Sequence, residues 1–371
     1  MKPTIEKKGK LDYWIFFSVM ILVAIGLIMI YSASPTVSLH GFGDSFYYLK
    51  KQVLYLLLGG GAFWWGYHLH LPILKKWALP GLLLSLFFLV ILFIPGIGQS
   101  IGGSSRWIYL GFLSFQPSEL AKLSLIIFLA VSLSNKRETL QDFLSGFLPL
   151  LMGVLIIVLL VMKQPDLGTA MVILLTSFTL FFIAGVNVGH LFSIFFLGGL
   201  GMVGYISSHL YQKQRILAFL DPWKDPQGVG FHIIQSLIAV GSGGPFGLGL
   251  GNSRQKFFYL PQQFTDFIYA ILCEELGFIG AAFVVILFFT FAIRGIRVVR
   301  YTEDPFKRLL ALGIVCWISF QAFINMAVVV NLIPTTGIPL SFISFGGTSL
   351  MTMLFGIGIL LNISRDIMIQ K

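Results

Sequence analysis

Long apolar runs separated by short polar punctuation dominate this chain, and their length decides what solvent it folds in. A membrane-crossing helix needs about 20 mostly apolar residues. Such runs recur at approximately 12–33, 51–68, 77–95, 117–134, 142–162, 167–185, 188–208, 266–293, 307–331 and 345–363. The pattern predicts an all-α integral membrane protein of about ten spans, organised as one membrane domain over 1–371. The sixth and seventh runs are separated only by Gly185-Val186-Asn187-Val188-Gly189, so a tight turn has to join them. One long polar interval remains, 209–265, between the seventh and eighth runs. Within it Phe231–Val240 turns apolar again and runs into Gly241-Ser242-Gly243-Gly244, the texture of a short re-entrant helix. Irregular backbone at membrane depth is tolerated only where protein buries it or a wet cavity lines it.

Composition agrees with a bilayer environment. Hydrophobic residues make up 57% of the chain and charged residues 11%, against about 25% charged in a soluble domain; the mean hydropathy is +0.89. The first run follows Lys2, Lys7, Lys8 and Lys10 as a secretory signal would. It is longer than the roughly 7–15 residues of a signal core, and many spans follow, so it reads as an uncleaved first span. The net charge of +10 does not point to nucleic acid, because most of the 25 basic residues sit at alternate ends of the apolar runs. Lys75, Lys76, Lys136, Arg137, Arg294, Arg297, Arg300, Lys307, Arg308, Arg365 and Lys371 join the N-terminal lysines on one side. The positive-inside rule makes that side cytoplasmic, with both termini on it, and puts 209–265 outside.

A few polar residues carry candidate chemistry. Glu119 and Lys122, three apart after Gln116-Pro117-Ser118, share a helix face near the outer start of the fourth span. They form either a structural ion pair or part of a site or its access path. Asp166, after Gln164-Pro165, suits a helix N-terminal cap and is also a site candidate. Asp266 opens the eighth span beside a cationic loop and an apolar wall, where a carboxylate suits general-base work; a cap there is the plainer reading, and Thr265 could supply it instead. Glu274 and Glu275 lie two turns further in, placed to tune that aspartate or to pair with an internal cation. Lys213, Arg215, Lys224, Arg254 and Lys256 make the outer interval cationic, and Arg106 lies in a shorter outer loop. The glycines between Gly243 and Gly251 fit an anion-binding nest and fit close packing equally well. Cys273 and Cys316 lie in apolar runs with no metal-type spacing, and the six histidines are scattered. No nucleotide-binding glycine motif or serine–histidine–aspartate signature is present.

Together these motifs resemble the SEDS proteins (shape, elongation, division and sporulation). The resemblance rests on Arg106-Trp107-Ile108 with Phe115-Gln116-Pro117-Ser118-Glu119-Leu120-Ala121-Lys122, on Lys163-Gln164-Pro165-Asp166-Leu167-Gly168-Thr169, and on Arg215-Ile216 with Asp221-Pro222. It continues through Thr265-Asp266-Phe267-Ile268, Glu274-Glu275-Leu276-Gly277, Ile333 to Leu340 and Ser344-Phe345-Gly346-Gly347-Thr348-Ser349. Gly249 to Lys256 with Tyr259-Leu260-Pro261 is more similar to the family's division branch than to its elongation branch. Gln262 and Phe264 stand where that branch usually carries Glu and His.

The resemblance implies a peptidoglycan glycosyltransferase that polymerises lipid II into glycan strands on the outer face of the cytoplasmic membrane, at the division septum. It implies a class B penicillin-binding protein and other divisome membrane proteins as partners, and maps the family's catalytic aspartate onto Asp266. The pyrophosphate leaving group needs positive charge. Lys213, Arg215, Arg254 and Lys256 are available for it, and a divalent cation such as Mg²⁺ or Mn²⁺ is a second source that residue types do not exclude. Glu119, Lys122, Arg106 and Asp166 are expected to help bind substrate. Two other readings are an elongation-type polymerase and a lipid II flippase, which would line a path through the spans with Glu119, Lys122 and Asp166.

Overall fold

A computed structural model describes residues 11–95, 98–101, 104–111, 113–135, 140–257 and 259–367. Lys2, Lys7, Lys8, Lys10, Lys136, Arg137 and Lys371 of the charge pattern lie outside them. The described chain runs α1 (Tyr13–Ala33), α2 (Pro35–Phe42), α3 (Tyr47–His68), α4 (Pro72–Ile91), β1 (Gly98–Ile101), β2 (Ser104–Leu110), β3 (Leu113–Phe115) and α5 (Pro117–Asn135). It continues through α6 (Leu148–Lys163), α7 (Leu167–Ala184), α8 (Val188–Ser208), α9 (Leu210–Leu220), α10 (Phe231–Ser242), α11 (Ile268–Tyr301), α12 (Pro305–Val329) and α13 (Gly347–Ile367).

Every predicted span coincides with one helix. Among the described residues nine helices, counted with their short flanking turns, are long and apolar enough to cross a membrane. The tenth, α3, has 22 residues, but Lys50, Lys51, Gln52 and His68 lower its hydropathy, and four glycines take the place of larger apolar residues. Those glycines do a packing job: a Cβ on Gly66 would come within 2.6 Å of the Phe355 carbonyl oxygen, and one on Gly358 within 2.3 Å of that of Phe63. Small residues let α3 and α13 close to backbone contact, which is how helices associate where lipid removes the hydrophobic drive. Between α7 and α8 the tight turn forms as expected. Gly185 adopts a left-handed φ of 89° and Asn187 caps α8 by accepting from the Gly189 N–H at 2.8 Å.

The two ends of the bundle differ in chemistry. At one end Arg294 grips Asp12 through Nε and Nη2, at 3.1 and 2.6 Å, and Lys307 pairs with Asp366. Lys75 sits over Phe306 and Arg365 over Tyr67 at the same end. The opposite end gathers the starts of α5, α7, α11 and α13, together with the β hairpins and the 209–265 interval.

Three features of that end were not predicted as drawn. Antiparallel strands β1-β2-β3 form a small meander, with Ile108 opposite Phe115 and Tyr109 opposite Ser114. It is pinned to the bundle where the Tyr55 hydroxyl accepts from the Ser114 N–H at 2.8 Å and Thr348 Oγ1 donates to the Ser114 carbonyl at 3.0 Å. Second, α11 is longer than the 266–293 run and breaks at Gly277, whose φ of 67° and ψ of −167° belong to glycine. Third, residues between α12 and α13 form an irregular strap whose Ile338, Leu340, Ser341, Phe342 and Ile343 are all buried. Buried irregular backbone needs side-chain partners, and those partners shape the site.

Candidate active site

The break in α11 explains the glycine run. A broken helix frees carbonyls above the break and N–H groups below it. Here Leu248 and Gly249 donate to the carbonyls of Glu274 and Glu275 at 3.0 Å each, while Phe278 and Ile279 donate to those of Gly244 and Pro245 at 2.8 and 3.2 Å. The segment after α10 thus repairs the helix in place of water. A Cβ on Gly243 would fall 2.0 Å from the Cys273 oxygen and one on Gly277 2.2 Å from the Gly247 nitrogen. Of the two readings of these glycines, close packing is the one realised: the Gly247, Leu248 and Gly249 N–H groups are spent internally rather than turned to an anion. α10 itself packs on α11, and Ser236 Oγ donates to the Val329 carbonyl at 2.7 Å.

Glu274 and Glu275 hold the next stretch. Glu274 accepts from Ser253 Oγ, the Arg254 N–H at 2.9 Å and the Gln255 N–H at 3.4 Å. Glu275 accepts from Ser32 Oγ at 2.6 Å and from Lys256 Nζ at 3.3 Å; the same ammonium also donates to the Gly251 carbonyl. Lys256 is therefore buried as the internal partner of Glu275. Arg254 and Lys213 are exposed.

Asp266 lies in the connection between this loop and α11. Neither it nor Thr265 caps the helix, which starts without a side-chain cap; Thr265 Oγ1 turns back to Gln262. Three consecutive carbonyls fix its backbone: Phe264 O accepts from the Phe345 N–H at 2.9 Å, Thr265 O from Ser344 Oγ, and Asp266 O from Asn325 Nδ2 at 2.7 Å. The half-buried carboxyl is pushed up from its usual value to about 6. Loss of hydration is the main cause; Arg106 opposes it, Asp166 adds to it, and Arg215 opposes it more weakly.

Those three residues arrive from separate elements. Arg106, on β2, donates through Nε to the Gln164 carbonyl at 3.0 Å and through Nη2 to the Pro165 carbonyl, and its Nη1 lies 3.8 Å from Asp166 Oδ2. Asp166 is the helix cap that its position suggested, its Oδ1 accepting from the Thr169 N–H at 3.0 Å, and its other oxygen is the one turned to Arg106. Arg215, on α9, donates to the Thr335 carbonyl of the strap at 3.1 Å. Gly337 closes the group: with a φ of +74°, a Cβ there would sit 3.6 Å from Asp266 Oδ2 and 4.0 Å from Arg106 Nη1.

Glu119 and Lys122 form a separate buried pair. Lys122 Nζ donates to Glu119 Oε1 at 2.8 Å and to Gln321 Oε1 at 2.7 Å, and lies over the Trp317 ring. Beside it a void of about 10 Å³, lined by Thr176 and Ser177, has room for one water. Sequence reading passed over Gln321, Asn325 and Gly337. The two amides had a legible signal, polar side chains four apart in an otherwise apolar span. Gly337 was legible only as one residue of the Ile333 to Leu340 motif, because its role depends on what the fold brings to it.

For a divalent cation, no group of three His, Cys, Asp or Glu residues among the described residues is placed to hold one. The two carboxylates at the site, Asp166 and Asp266, face two guanidinium groups, an arrangement that balances charge without a metal. No all-protein metal centre is built among the described residues.

Comparison with known proteins agrees with this geometry. The chain is 45% identical to stage V sporulation protein E of Bacillus subtilis (strain 168), covering 97% of this chain and 98% of that protein. It is 44% identical to a probable peptidoglycan glycosyltransferase FtsW of Geobacter sp. (strain M18), covering 95% and 96%. Its fold superposes with a TM-score of 0.79 on a chain from a peptidoglycan synthase complex that coordinates polymerisation and crosslinking, at 30% identity over 96% of this chain and 98% of that one. The crystal structure of the rod shape determining protein RodA of Thermus thermophilus gives 0.71 at 28% identity, over 96% and 97%. Residues 13–368 match the cell cycle protein family of FtsW, RodA and SpoVE, and the chain belongs to that family.

Proposed function

We propose that this protein is a peptidoglycan glycosyltransferase that polymerises lipid II on the outer face of the cytoplasmic membrane, at the division septum, with both termini cytoplasmic. The observation that carries the mechanism is the environment of Asp266: a carboxyl raised to about 6, half-buried, with Arg106 and Arg215 acting on it. A general base works best when its pKa lies near the working pH. Asp266 takes the proton of the acceptor sugar 4-hydroxyl as that oxygen bonds to the donor's anomeric carbon. The bond from that carbon to the pyrophosphate oxygen breaks, and undecaprenyl pyrophosphate leaves with the electron pair. In this reading Arg215 and Arg106, the cations that act on Asp266, offset that charge as it grows, and the exposed Lys213 and Arg254 are available to the incoming lipid pyrophosphate. The mechanism needs no step through a metal. A class B penicillin-binding protein would crosslink the product, and the solved synthase complex among the structural neighbours supports such a pairing.

The basic residues gathered with Asp12 and Asp366 at the far end of the bundle support the orientation. A flippase reading draws no support from Glu119 and Lys122, which are locked to each other beneath the site. The test is polymerisation of labelled lipid II by the purified protein with its penicillin-binding partner. Wild type is expected to make glycan strands and Asp266→Asn none. Equal synthesis by the variant would remove the proposed base; no synthesis by wild type, combined with lipid II translocation in liposomes, would favour a flippase.

A further inference from the structure

The strap between α12 and α13 passes under Asp266 as buried, irregular backbone, and α12 meets it with a polar stripe. Trp317, Gln321 and Asn325 recur every four residues and share one helix face. Asn325 spends both amide hydrogens on carbonyls, Asp266 O at 2.7 Å and Ile338 O at 2.8 Å, while its Oδ1 is buried with no partner among the described residues. Two acceptor carbonyls against one end of the amide set its orientation. One turn earlier, Gln321 Nε2 donates to the Pro339 carbonyl at 3.1 Å, and its Oε1 accepts from Lys122 Nζ and from Trp317 Nε1. The stripe therefore holds the carbonyls of Ile338 and Pro339, and Gly337 just before them lies against the Asp266 carboxylate.

We propose that Asn325, seconded by Gln321, is a positioning residue for Asp266: its amide ties the aspartate backbone to the strap and so sets where the carboxylate stands relative to Arg106 and Gly337. Through Gln321 the buried Glu119–Lys122 pair joins the same scaffold, acting on the site from below rather than touching substrate. Filling two backbone acceptors would by itself be a purely structural task. What separates the two roles is that one of those acceptors belongs to the residue proposed to do the chemistry, and misplacing a reacting group by about 1 Å costs on the order of a hundredfold in rate.

This inference rests on the proposed polymerase reading, and its test keeps the two apart. Wild type, Asp266→Asn, Asn325→Ala and Asn325→Ser would be purified with the penicillin-binding partner, their folded fractions measured by size exclusion and thermal melting. Lipid II polymerisation would then be followed from pH 5 to 8. Asn325→Ala is expected to lose about ten- to hundredfold in kcat per folded molecule, with KM for lipid II within about twofold. Its acid limb should move to lower pH, because a released carboxyl regains water. Asn325→Ser keeps one donor and should show the same changes at smaller size, which covers the case in which the alanine variant fails to fold. Wild-type kcat and acid limb in the folded variants would overturn the proposal. So would a loss of rate that tracks lost folded protein with the limb unmoved. A wild type that makes no polymer, or an Asp266→Asn variant as active as wild type, would instead bring down the polymerase reading.

Discussion

Two carboxylate clusters stand within three turns of each other at the start of α11, and they are built on opposite plans. Glu274 and Glu275 are buried and saturated: serine hydroxyls, main-chain N–H groups and the Lys256 ammonium converge on them, and they draw the 251–256 stretch against α1 and α11. Asp266 is held by its backbone, and its half-buried carboxyl is influenced by two arginines and a second aspartate without being enclosed by donors in the same way. A carboxylate whose lone pairs are all occupied is stabilised as an anion and has little left to give a substrate. One that is partly dehydrated and lightly coordinated is poised to take a proton. The contrast separates structural acids on α11 from the acid proposed to do the chemistry just ahead of that helix, more sharply than sequence spacing does.

That contrast can be broken or sharpened by substitution. Asp266→Asn should cost the most activity, on the order of a thousandfold in polymerisation rate, with the melting temperature in detergent close to wild type. Glu275→Leu should do the reverse. Leaving the Lys256 ammonium buried without its partner costs about 3–5 kcal/mol, read as a large fall in melting temperature, and adding Lys256→Met should recover part of it. If Glu275→Leu lowered the rate per folded molecule as far as Asp266→Asn does, the division between the clusters would fail.

A finer probe is Arg106→Gln. Arg106 favours the ionised form of Asp266, so its loss raises that pKa further. The acid limb of the rate profile, expected near pH 6 in wild type with activity rising as pH increases through it, should move up by about one unit. A limb that stayed still would show that Arg106 does not act on the base. Smallest of all, Arg254→Ala removes an exposed cation whose main-chain N–H, not its guanidinium, serves Glu274. Its effect on melting should stay within about 0.5 kcal/mol, with KM for lipid II up by about two- to fivefold and the increase shrinking at high salt.

The legibility of the site followed the range of each interaction. Glu119 with Lys122, and Asp166 at the head of α7, were readable because helix spacing and capping are local rules. The turn at Gly185–Asn187 was readable for the same reason. Lys256 was visible as a cation but not as the internal partner of Glu275, because that pairing depends on the loop folding back over α11 and onto Ser32 of α1. Arg106 was assigned to an outer loop, and only the meander carries it to Gln164, Pro165 and Asp166, some 58 residues away in sequence.

By itself the sequence determined the solvent, the succession of about ten spans and the clustering of basic residues at alternate ends of the apolar runs, since each follows from residue counts along the chain. Its motifs also determined the family, and with it the choice of Asp266. Tertiary structure alone decided which charges face that aspartate, that the glycine run mends a broken helix, and that a buried amide on α12 ties the aspartate backbone to a strap more than 70 residues downstream. Hydropathy is summed along the chain, whereas the value of a carboxylate depends on the water and charge within a few ångströms of it, and those neighbours come from elements that only folding brings together.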